Sequence, residues 1–554
     1  NQFDETDGAH WMNWLPRDLP PGVRIIASVI SPAEGEKEHQ TLAVLRSRND
    51  ARVEALKPLD ESDTQAIIEG YLKRYSKRLS PEQIAALKEK PASSLPLYVL
   101  TALEELRTLG TYEEITDRIR TLPGDARALF GWILTERLAR DPGFRDREGR
   151  PCGAALVEKF AACLGVSRHG LSPAELTALL DPGDPLGNVA ALLRLLRPYL
   201  MRRGELLDFY HSQFREAAVA AYLDTPERQR AAHQAVATCL QTFADPHRDG
   251  QCHDATPHAL SELPYHQTRA EAWPELIATL EKLFFLEAKV THGMAFDLVL
   301  DYNDAVDTLP VEHVERPRLA LLNEALRRDI HFIARHAKDY PQGVFQCLWN
   351  SCWWYDCPEA EKHHQKKSSC STFLDTLIRA IVLSCWVVPV SWRSTILYNL
   401  TRAIPPSLIS VFHKKKSGKP SGRMHTLLED WCYRKNTSDP DFLWLRSKRP
   451  PTSRLGGAQT GVIVRHGYST VESISYSPDG LRLASVCGEV RISDVTTGSE
   501  LMKFMMPGAG CLCWSPKGDE IAVACENSIH LLNACNGRIL QTLEGHDARV
   551  TGLS

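Results

Sequence analysis

The sequence has no long apolar run and no excess of charge of one sign. Its most apolar stretch, "AIVLSCWVVPVSW" at residues 380–392, contains a proline, and it is shorter than the roughly 20 apolar residues that a membrane-spanning helix needs. The 65 lysines and arginines nearly balance the 69 aspartates and glutamates, leaving a formal net charge of −4. We therefore interpret the stretch as buried core, and we expect neither a membrane nor a nucleic acid as partner.

The sequence also lacks a dense cysteine framework. Its 15 cysteines are scattered over 554 residues, without the close, regular spacing of a disulfide-rich secreted domain. Cysteines and histidines come closest together between residues 347 and 370, but the gaps there do not match the two-residue gaps of structural zinc knuckles. The pattern favours reduced thiols in a cytoplasmic protein and predicts no metal site.

No complete phosphate-binding loop is present. The segment "SGKPSG" contains Gly418 and Lys419, but it lacks the earlier glycine and the following Ser or Thr of such a loop. We interpret it as a flexible basic loop and do not expect this chain to hydrolyse ATP. The chain begins at Asn1 and stops within a repeat described below, so we expect it to be a fragment at both ends.

The N-terminal part of the chain combines a strand-like run with helical patterns. The run Arg24–Ile30 in "PPGVRIIASVIS" follows a Pro-Gly turn and predicts a buried parallel strand. "SPEQIAAL" has Ser80 as a helix N-cap, proline at the first helical position and Gln83 to complete a capping box. "LPLYVLTALEELRTLG" predicts an amphipathic helix that ends at Gly110. The leucines expected to share its buried face are Leu97, Leu100, Leu103 and Leu106.

Residues 151–224 have the pattern of a winged helix. Three short helical runs, "ALVEKFAACLGV", "SPAELTALL" and "NVAALLRLLRPYL", precede two strand-like runs on either side of Gly204. The possible recognition helix has only Arg194 and Arg197 as basic residues, which is too few for the phosphate contacts of duplex DNA readout. The segment after it, residues 225–455, predicts an irregular helical array and a linker.

The clearest signal is a repeat near the C-terminus. The motif Ser-Pro-Asp-Gly at Ser477 recurs as Ser-Pro-Lys-Gly at Ser515, and the difference between these positions is a period of 38 residues. Each unit predicts four short strands, with a further turn at Gly498 or Gly537. The units resemble WD40 repeats, and "EGH" at Glu544 begins a third. Such repeats close into rings of about four to eight blades, which usually serve as docking platforms. This resemblance therefore implies a protein partner.

The order of these segments resembles the STAND class of signalling P-loop NTPases, specifically NACHT-like members with C-terminal WD repeats. The resemblance implies a multidomain, mainly α fold with a remnant of an α/β P-loop core and a partial, all-β WD40 propeller. The expected domains are a core remnant at 1–34, a helical lid at 35–150, a winged helix at 151–224, a helical array and linker at 225–455, and WD40 repeats at 456–554.

The same resemblance implies three nucleotide-contacting residues. Ser28 is similar to the sensor at the end of a core strand that faces the terminal phosphate. Pro96 in "SSLPLYV" is similar to the proline that packs on the adenine base, with Ser94 in place of the usual glycine. His211, where the wing meets the next helix, is similar to the histidine that contacts the diphosphate. From the sequence alone, His211 could also be a packed core histidine, a metal ligand or a catalytic base.

Two functions of different classes follow. The first is a nucleotide-switched signalling NTPase that uses ATP or ADP with magnesium, of which this chain is a fragment. The intact protein would then be a slow ATPase whose WD40 region binds a partner. Its open form would self-associate as a homo-oligomer or release an upstream effector. The alternative is a non-catalytic scaffold of helices and WD40 repeats. A DNA-binding winged-helix regulator ranks last.

Overall fold

The computed structural model divides the chain into two compact units. The first consists of Asn1–Phe243, Arg269–Ala272 and Asn533–Arg538, and the second of Ala244–Thr268, Trp273–Leu532 and Ile539–Ser554. The finer domain boundaries expected from sequence stay predictions. The residues described are 22–29, 40–48, 50–107, 112–360, 423–439, 442–457, 461–463 and 470–553. The apolar stretch at 380–392, Gly110 and the loop around Lys419 lie outside them.

The described part of the first unit is helical except for one hairpin. A short π-helical turn, Ile133–Leu138, directly follows the helix that ends at Trp132. The hairpin consists of β1 Leu200–Arg203 and β2 Leu206–Phe209. The helices are α1 Gln40–Ser47, α2 Glu61–Lys73, α3 Pro81–Lys88, α4 Pro96–Arg107, α5 Tyr112–Thr121, α6 Ala126–Trp132, α7 Gly153–Val166, α8 Pro173–Leu180, α9 Asn188–Leu196, α10 Ser212–Tyr222 and α11 Pro226–Ala244.

Two helix starts form as the sequence predicts. Ser80 and Gln83 make both hydrogen bonds of a capping box at α3. Ser172 and Glu175 do the same at α8. Each pair satisfies amide N–H groups that a helix start leaves without partners, so the start is determined by local chemistry.

Two predictions for this unit are wrong. Residues 23–29 form no strand, and the side chain of Ile26 is 98% exposed, because no described segment pairs with this run. In α4, Leu103 and Leu106 are buried but Leu97 is only half-buried and Leu100 is exposed. Steps of three residues each rotate the side chain by about 60° backward around the helix, so four such leucines cannot share one face.

The winged-helix pattern is present in its secondary structure. Helices α7, α8 and α9 precede the β1–β2 hairpin, whose turn places Gly204 at a φ of 60°. Leu171 adds a third strand position, because its N–H donates to the Leu207 carbonyl at 2.9 Å and its carbonyl accepts from the Leu207 N–H at 2.8 Å. These elements follow the order that the sequence predicts, and the assignment of a winged-helix domain stays a prediction.

Arg215 on α10 connects the hairpin to α7 through hydrogen bonds and an ion pair. Its guanidinium donates to the carbonyls at the end of α7, those of Leu164, Gly165 and Ser167, at 2.9–3.0 Å. It also forms an ion pair with the buried carboxylate of Asp208 on β2. The arginine thereby supplies donors to carbonyls that a helix end leaves unpaired.

The second unit begins with a helical array. Its helices are α12 Pro257–Arg269, α13 Trp273–Leu280, α14 Leu283–Thr291, α15 Ala295–Thr308, α16 Arg316–Arg335, α17 Gly343–Cys352 and α18 Met424–Ser438. The carboxylate of Asp356 caps α18, because it accepts from the backbone N–H groups of Met424 and His425 at 2.7 and 2.9 Å. Trp431 on α18 is buried and donates to the Glu281 carbonyl at 2.8 Å.

Two four-stranded antiparallel sheets follow, and they confirm the predicted repeat. The first has the order β3-β4-β5-β6 and the second the order β10-β9-β8-β7, so neighbours in the sheet are neighbours in sequence. Both resemble WD40 blades in this order. The strands are β3 Ser473–Tyr476, β4 Arg482–Val486, β5 Glu489–Asp494, β6 Glu500–Met505, β7 Ala509–Trp514, β8 Glu520–Cys525, β9 Ser528–Asn533 and β10 Ile539–Leu543.

The Ser-Pro-x-Gly motif forms the same turn in both sheets. Gly480 N–H donates to the Ser477 carbonyl, and Gly518 N–H donates to the Ser515 carbonyl, each at 2.9 Å. The two glycines have φ angles of 73° and 75°, in the left-handed region that a side chain disfavours. No closed ring is formed by the described residues, and residues 544–553, where a third unit was expected to start, contain no strand.

Candidate functional site

His211 lies at the position expected from sequence, between the hairpin and α10. It is the N-cap residue of α10, and its side chain makes no capping hydrogen bond. Its ring is half-buried and stands edge-on to the ring of Tyr210, with centroids 4.4 Å apart. Burial lowers the pKa of His211, so the neutral imidazole is favoured. A neutral ring can still donate one hydrogen bond to an anion, while a charged one is disfavoured.

Ser28 and Pro96 are both exposed. Ser28 lies in the strandless stretch at 23–29, and Pro96 opens α4. The backbone carbonyl of Ser94, in the turn before α4, accepts from the Leu59 N–H at 2.9 Å. Among the described residues, no hydrogen bond or ring contact joins Ser28, Pro96 and His211 to one another. Their role in nucleotide binding therefore stays a prediction.

A buried network in the first unit was not predicted from sequence. The Arg137 guanidinium, in the π-helical turn, donates to Glu105 Oε2 at 2.7 Å, and the Tyr199 hydroxyl donates to Glu105 Oε1 at 2.8 Å. Burial raises the pKa of Glu105 above its usual range, although Arg137 opposes the shift. The network joins the segment predicted as a lid to the segment predicted as a winged helix. Its members are far apart in sequence, so no local pattern could reveal it.

The two sheets of the second unit contact each other through Trp514 on β7. Its indole N–H donates to the Ser475 carbonyl at 3.1 Å, and the Arg482 guanidinium lies 4.7 Å from its ring centroid. The inner face of the first sheet is apolar and buried. Its members are Ala484, Val486, Val490 and Ile492.

The other face of the first sheet carries exposed apolar side chains beside a charged network. Ile474 and Tyr476 on β3 are 60% and 58% exposed. In the cross-strand register, Ile474 is opposite Ser485, which is opposite Arg491, which is opposite Lys503. Arg491 pairs with Glu489 and Glu500 at 2.5 and 2.7 Å, and Lys503 pairs with Glu489 at 2.8 Å. We call the exposed side chains Ile474 and Tyr476, with this charged network, the outer surface.

The first sheet is attached to the helical array through α16. The Arg327 guanidinium donates to the Val495 carbonyl, at the β5–β6 turn, at 2.9 Å. Arg328 donates to the carbonyls of Ser453 and Arg454 at 2.8 and 3.0 Å, and Glu324 accepts from the Gly456 N–H at 2.8 Å. The segment that leads into the sheets is thus held along one helix by several side chains.

The cysteine-rich region forms no cluster in the part of it that is described. Cys352 and Cys357 are buried, and burial raises the thiol pKa of each. His363, His364 and Cys370 lie outside the described residues. Within the described ranges, no group of three or more His, Cys, Asp or Glu side chains is placed to hold a metal ion. None of the described helices is both long enough and apolar enough to span a bilayer.

Curated proteins similar to this chain are much longer than it is. A TPR repeat-containing protein from Dictyostelium discoideum is 24% identical over 310 residues, which is 55% of this chain and 17% of that protein. Telomerase protein component 1 from Rattus norvegicus is 26% identical over 58% of this chain and 13% of that protein. The Mus musculus protein of the same name is 28% identical over 52% of this chain and 11% of that protein. The chain thus spans less than a fifth of each relative. No protein-family profile matches it.

Solved structures similar to this chain match a short part of it. A structure of U3-55K is 18% identical and covers 15% of this chain and 29% of that chain, with a TM-score of 0.15. The RRP9 WD40 repeats are 18% identical with the same coverage and a TM-score of 0.14. Sqt1 from Saccharomyces cerevisiae is 26% identical and covers 15% of this chain and 23% of that chain, with a TM-score of 0.14. The resemblance of the two sheets to WD40 blades therefore rests on their own strand order and turns.

Proposed function

We propose that this chain is a protein-interaction scaffold that presents the outer surface of the first sheet to a partner protein. The observation that carries the proposal is the pair of large side chains Ile474 and Tyr476, exposed side by side on an edge strand. Tyrosine is enriched among the residues that dominate protein interfaces, where its ring offers contact area and its hydroxyl a hydrogen bond. The neighbouring ion pairs form the polar rim that such interfaces have.

The attachment of the sheet supports this role. A docking surface gains affinity when it is rigid, because less conformational entropy is lost on binding. The first sheet is held by the second sheet through Trp514 and by α16 through Arg327. Two of the relatives are components of telomerase by name, and a component is part of an assembly, which fits a scaffold.

The test compares partner capture by variants of the full chain. Ile474→Asp with Tyr476→Asp places two carboxylates on the outer surface, and we expect the partner proteins retained by the wild-type chain to be lost. Leu540→Asp on β10, a strand whose side chains are also exposed, is the matched control and should retain them. Equal retention by all three chains, each with an unchanged melting temperature, would contradict the proposal.

A nucleotide-switched signalling NTPase is the second candidate. His211 and the first turn of α10 favour it, because backbone N–H groups at a helix N-terminus attract anions. The Glu105–Tyr199 hydrogen bond also favours it, since a lid joined to a winged helix is what a nucleotide clamp requires. ADP with magnesium should then bind the full chain, and His211→Ala should weaken that binding about tenfold. Absence of ADP binding to the full chain would contradict this candidate.

We further propose a cytoplasmic location. Cys163, Cys252, Cys352 and Cys357 are buried free thiols, the state expected of cysteines in a reducing compartment. Targeted imaging of the tagged chain is the direct measurement, and a secreted or luminal signal would contradict this location.

A further inference from the structure

An extended segment of the chain, residues 442–447, lies along α17 and is bound there by side-chain amides. The Leu445 N–H donates to Gln346 Oε1 at 2.7 Å. Asn350 contacts the segment twice, because its Nδ2 donates to the Leu445 carbonyl and its Oδ1 accepts from the Ser447 N–H, both at 2.8 Å. The Tyr340 hydroxyl donates to Gln346 Oε1 at 2.8 Å and so orients that amide.

These contacts recognise the main chain of the segment rather than its side chains. Gln346 and Asn350 are four residues apart, so they lie on one face of α17, one turn from each other. Residues 442–447 form neither helix nor ladder, and an isolated extended segment has to find partners for its peptide groups elsewhere. An amide side chain that both donates and accepts can bind any extended peptide in this way.

The side chains of the segment alternate between the helix and solvent. Phe442 and Trp444 face α17, where Phe345 lies edge-on to both rings at centroid distances of 5.3 and 5.0 Å. Leu443 and Leu445 point outward and are 81% and 78% exposed. Pockets for alternate side chains, combined with hydrogen bonds to the main chain, are the way an extended peptide ligand is recognised.

A third inward position carries a positive charge. The guanidinium of Arg446 lies 4.7 Å from the ring centroid of Trp353 and 5.5 Å from that of Trp349. These two indoles are stacked, with centroids 6.0 Å apart, and a guanidinium is attracted to the face of such rings. The inward positions of the segment therefore read aromatic, aromatic and arginine, each separated by one outward residue.

The segment does not satisfy every polar group of the site it occupies. The indole N–H of Trp349 is buried and has no hydrogen-bond partner among the described residues. A buried donor without a partner is costly. A competing peptide with an acceptor at this point would gain a hydrogen bond that the chain's own segment does not make.

We propose that the face of α17 formed by Phe345, Gln346, Trp349 and Asn350, with Trp353, is a peptide-binding groove that residues 442–447 occupy as an internal ligand. The partner it fits is an extended peptide of another protein with the pattern aromatic-x-aromatic-x-arginine. Binding of that peptide displaces the internal segment. The groove shares no residue with the outer surface of the first sheet.

The test uses a fluorescein-labelled peptide with the sequence of residues 441–450, "DFLWLRSKRP", and the full chain. Fluorescence anisotropy should show weak binding to the wild-type chain and binding at least tenfold tighter to the Phe442→Ala, Trp444→Ala variant, whose groove is vacated. The matched control, Leu443→Ala with Leu445→Ala, alters only outward side chains of the same segment and should behave as the wild type.

A further variant tests the groove itself. Adding Asn350→Ala to the vacated chain should weaken peptide binding at least tenfold, because both hydrogen bonds between the Asn350 amide and the peptide main chain are lost. The proposal is overturned if the vacated chain keeps its melting temperature but binds the peptide no better than the wild type, or if the outward control binds as tightly as the vacated chain. Retained binding after Asn350→Ala overturns it as well.

Hydrogen exchange on the wild-type chain gives a result that does not require a variant to fold. Excess unlabelled peptide should accelerate exchange at the amides of Leu445 and Ser447 while the amides of α17 stay protected. Unchanged exchange at saturating peptide overturns displacement. A wild-type dimer that the peptide dissociates would assign the groove to residues 442–447 of a second copy, and would overturn the assignment to another protein.

Discussion

Replacing Trp514 should separate the two sheets of the second unit. The side chain is buried between them, donates to the Ser475 carbonyl at 3.1 Å and lies under the guanidinium of Arg482. Truncating a buried tryptophan to alanine costs about 3–5 kcal/mol, because apolar contact is lost and a cavity remains. We therefore expect Trp514→Ala to lower the free energy of opening of the first sheet by about 4 kcal/mol.

Two further variants divide this magnitude into its parts. Trp514→Phe keeps most of the apolar contact and loses the hydrogen bond to Ser475, so we expect a loss of about 1–2 kcal/mol. Tyr476→Ala changes an exposed aromatic on the same strand as Ser475 and should cost less than about 0.5 kcal/mol.

Native-state hydrogen exchange of the amides in β3 and β4 is the assay, since it reports the opening free energy of this sheet without unfolding the whole chain. Helices of the first unit should exchange at unchanged rates in all three variants. If Trp514→Ala costs less than about 1 kcal/mol, or no more than Tyr476→Ala, the sheets do not depend on Trp514 for their packing and the reasoning fails.

Three other predictions concern the remaining packing. Arg215→Ala should lower the free energy of unfolding of the first unit by about 3 kcal/mol in urea titrations, because it leaves the buried Asp208 carboxylate unpaired. Adding Asp208→Asn to that variant should recover part of this loss, and no recovery would contradict the ion-pair account. Burial, and then the charge of Arg269, lowers the pKa of His233 to about 4, so the folded state favours the neutral ring. The contribution of His233 to stability is therefore complete above about pH 6.5, and about 2 kcal/mol of it is lost as the pH falls toward 4. His233→Gln should remove that part of the pH dependence, and an identical pH profile would refute it. Arg328→Ala should accelerate hydrogen exchange at residues 453–457, while Arg335→Ala, on an exposed part of the same helix, should not. Equal effects of the two variants would show that the contacts of the Arg328 guanidinium do not protect this segment from exchange.

Features determined by neighbouring residues were predictable from sequence. The capping boxes at Ser80 and Ser172 and the turns at Gly480 and Gly518 each depend on side chains within a few positions. The 38-residue period adds a repeat of the same local chemistry, so the four-stranded order of both sheets was predictable as well.

Features that depend on distant partners were not predictable in this way. The strand expected at Arg24–Ile30 needed neighbouring strands on both edges, and no described segment supplies them. The network of Glu105, Arg137 and Tyr199 joins residues that are far apart in the chain.

The groove on α17 lies in the segment that the sequence predicts as a helical array and linker. Its binding face consists of aromatic and amide side chains, and these meet residues 442–447 only after the chain has folded back across nearly a hundred positions. Spacing within α17 shows which residues share a face, but it does not show what that face binds.

The most direct test of the scaffold account is photo-cross-linking from the outer surface. Tyr476 would be replaced by the photoreactive residue p-benzoylphenylalanine in the full chain, with the same replacement at Leu540 as the matched position, and the cells irradiated. The account predicts a discrete covalent adduct with another protein from position 476, absent from position 540 and lost on Ile474→Asp. No adduct from position 476, or the same adducts from both positions, would contradict it.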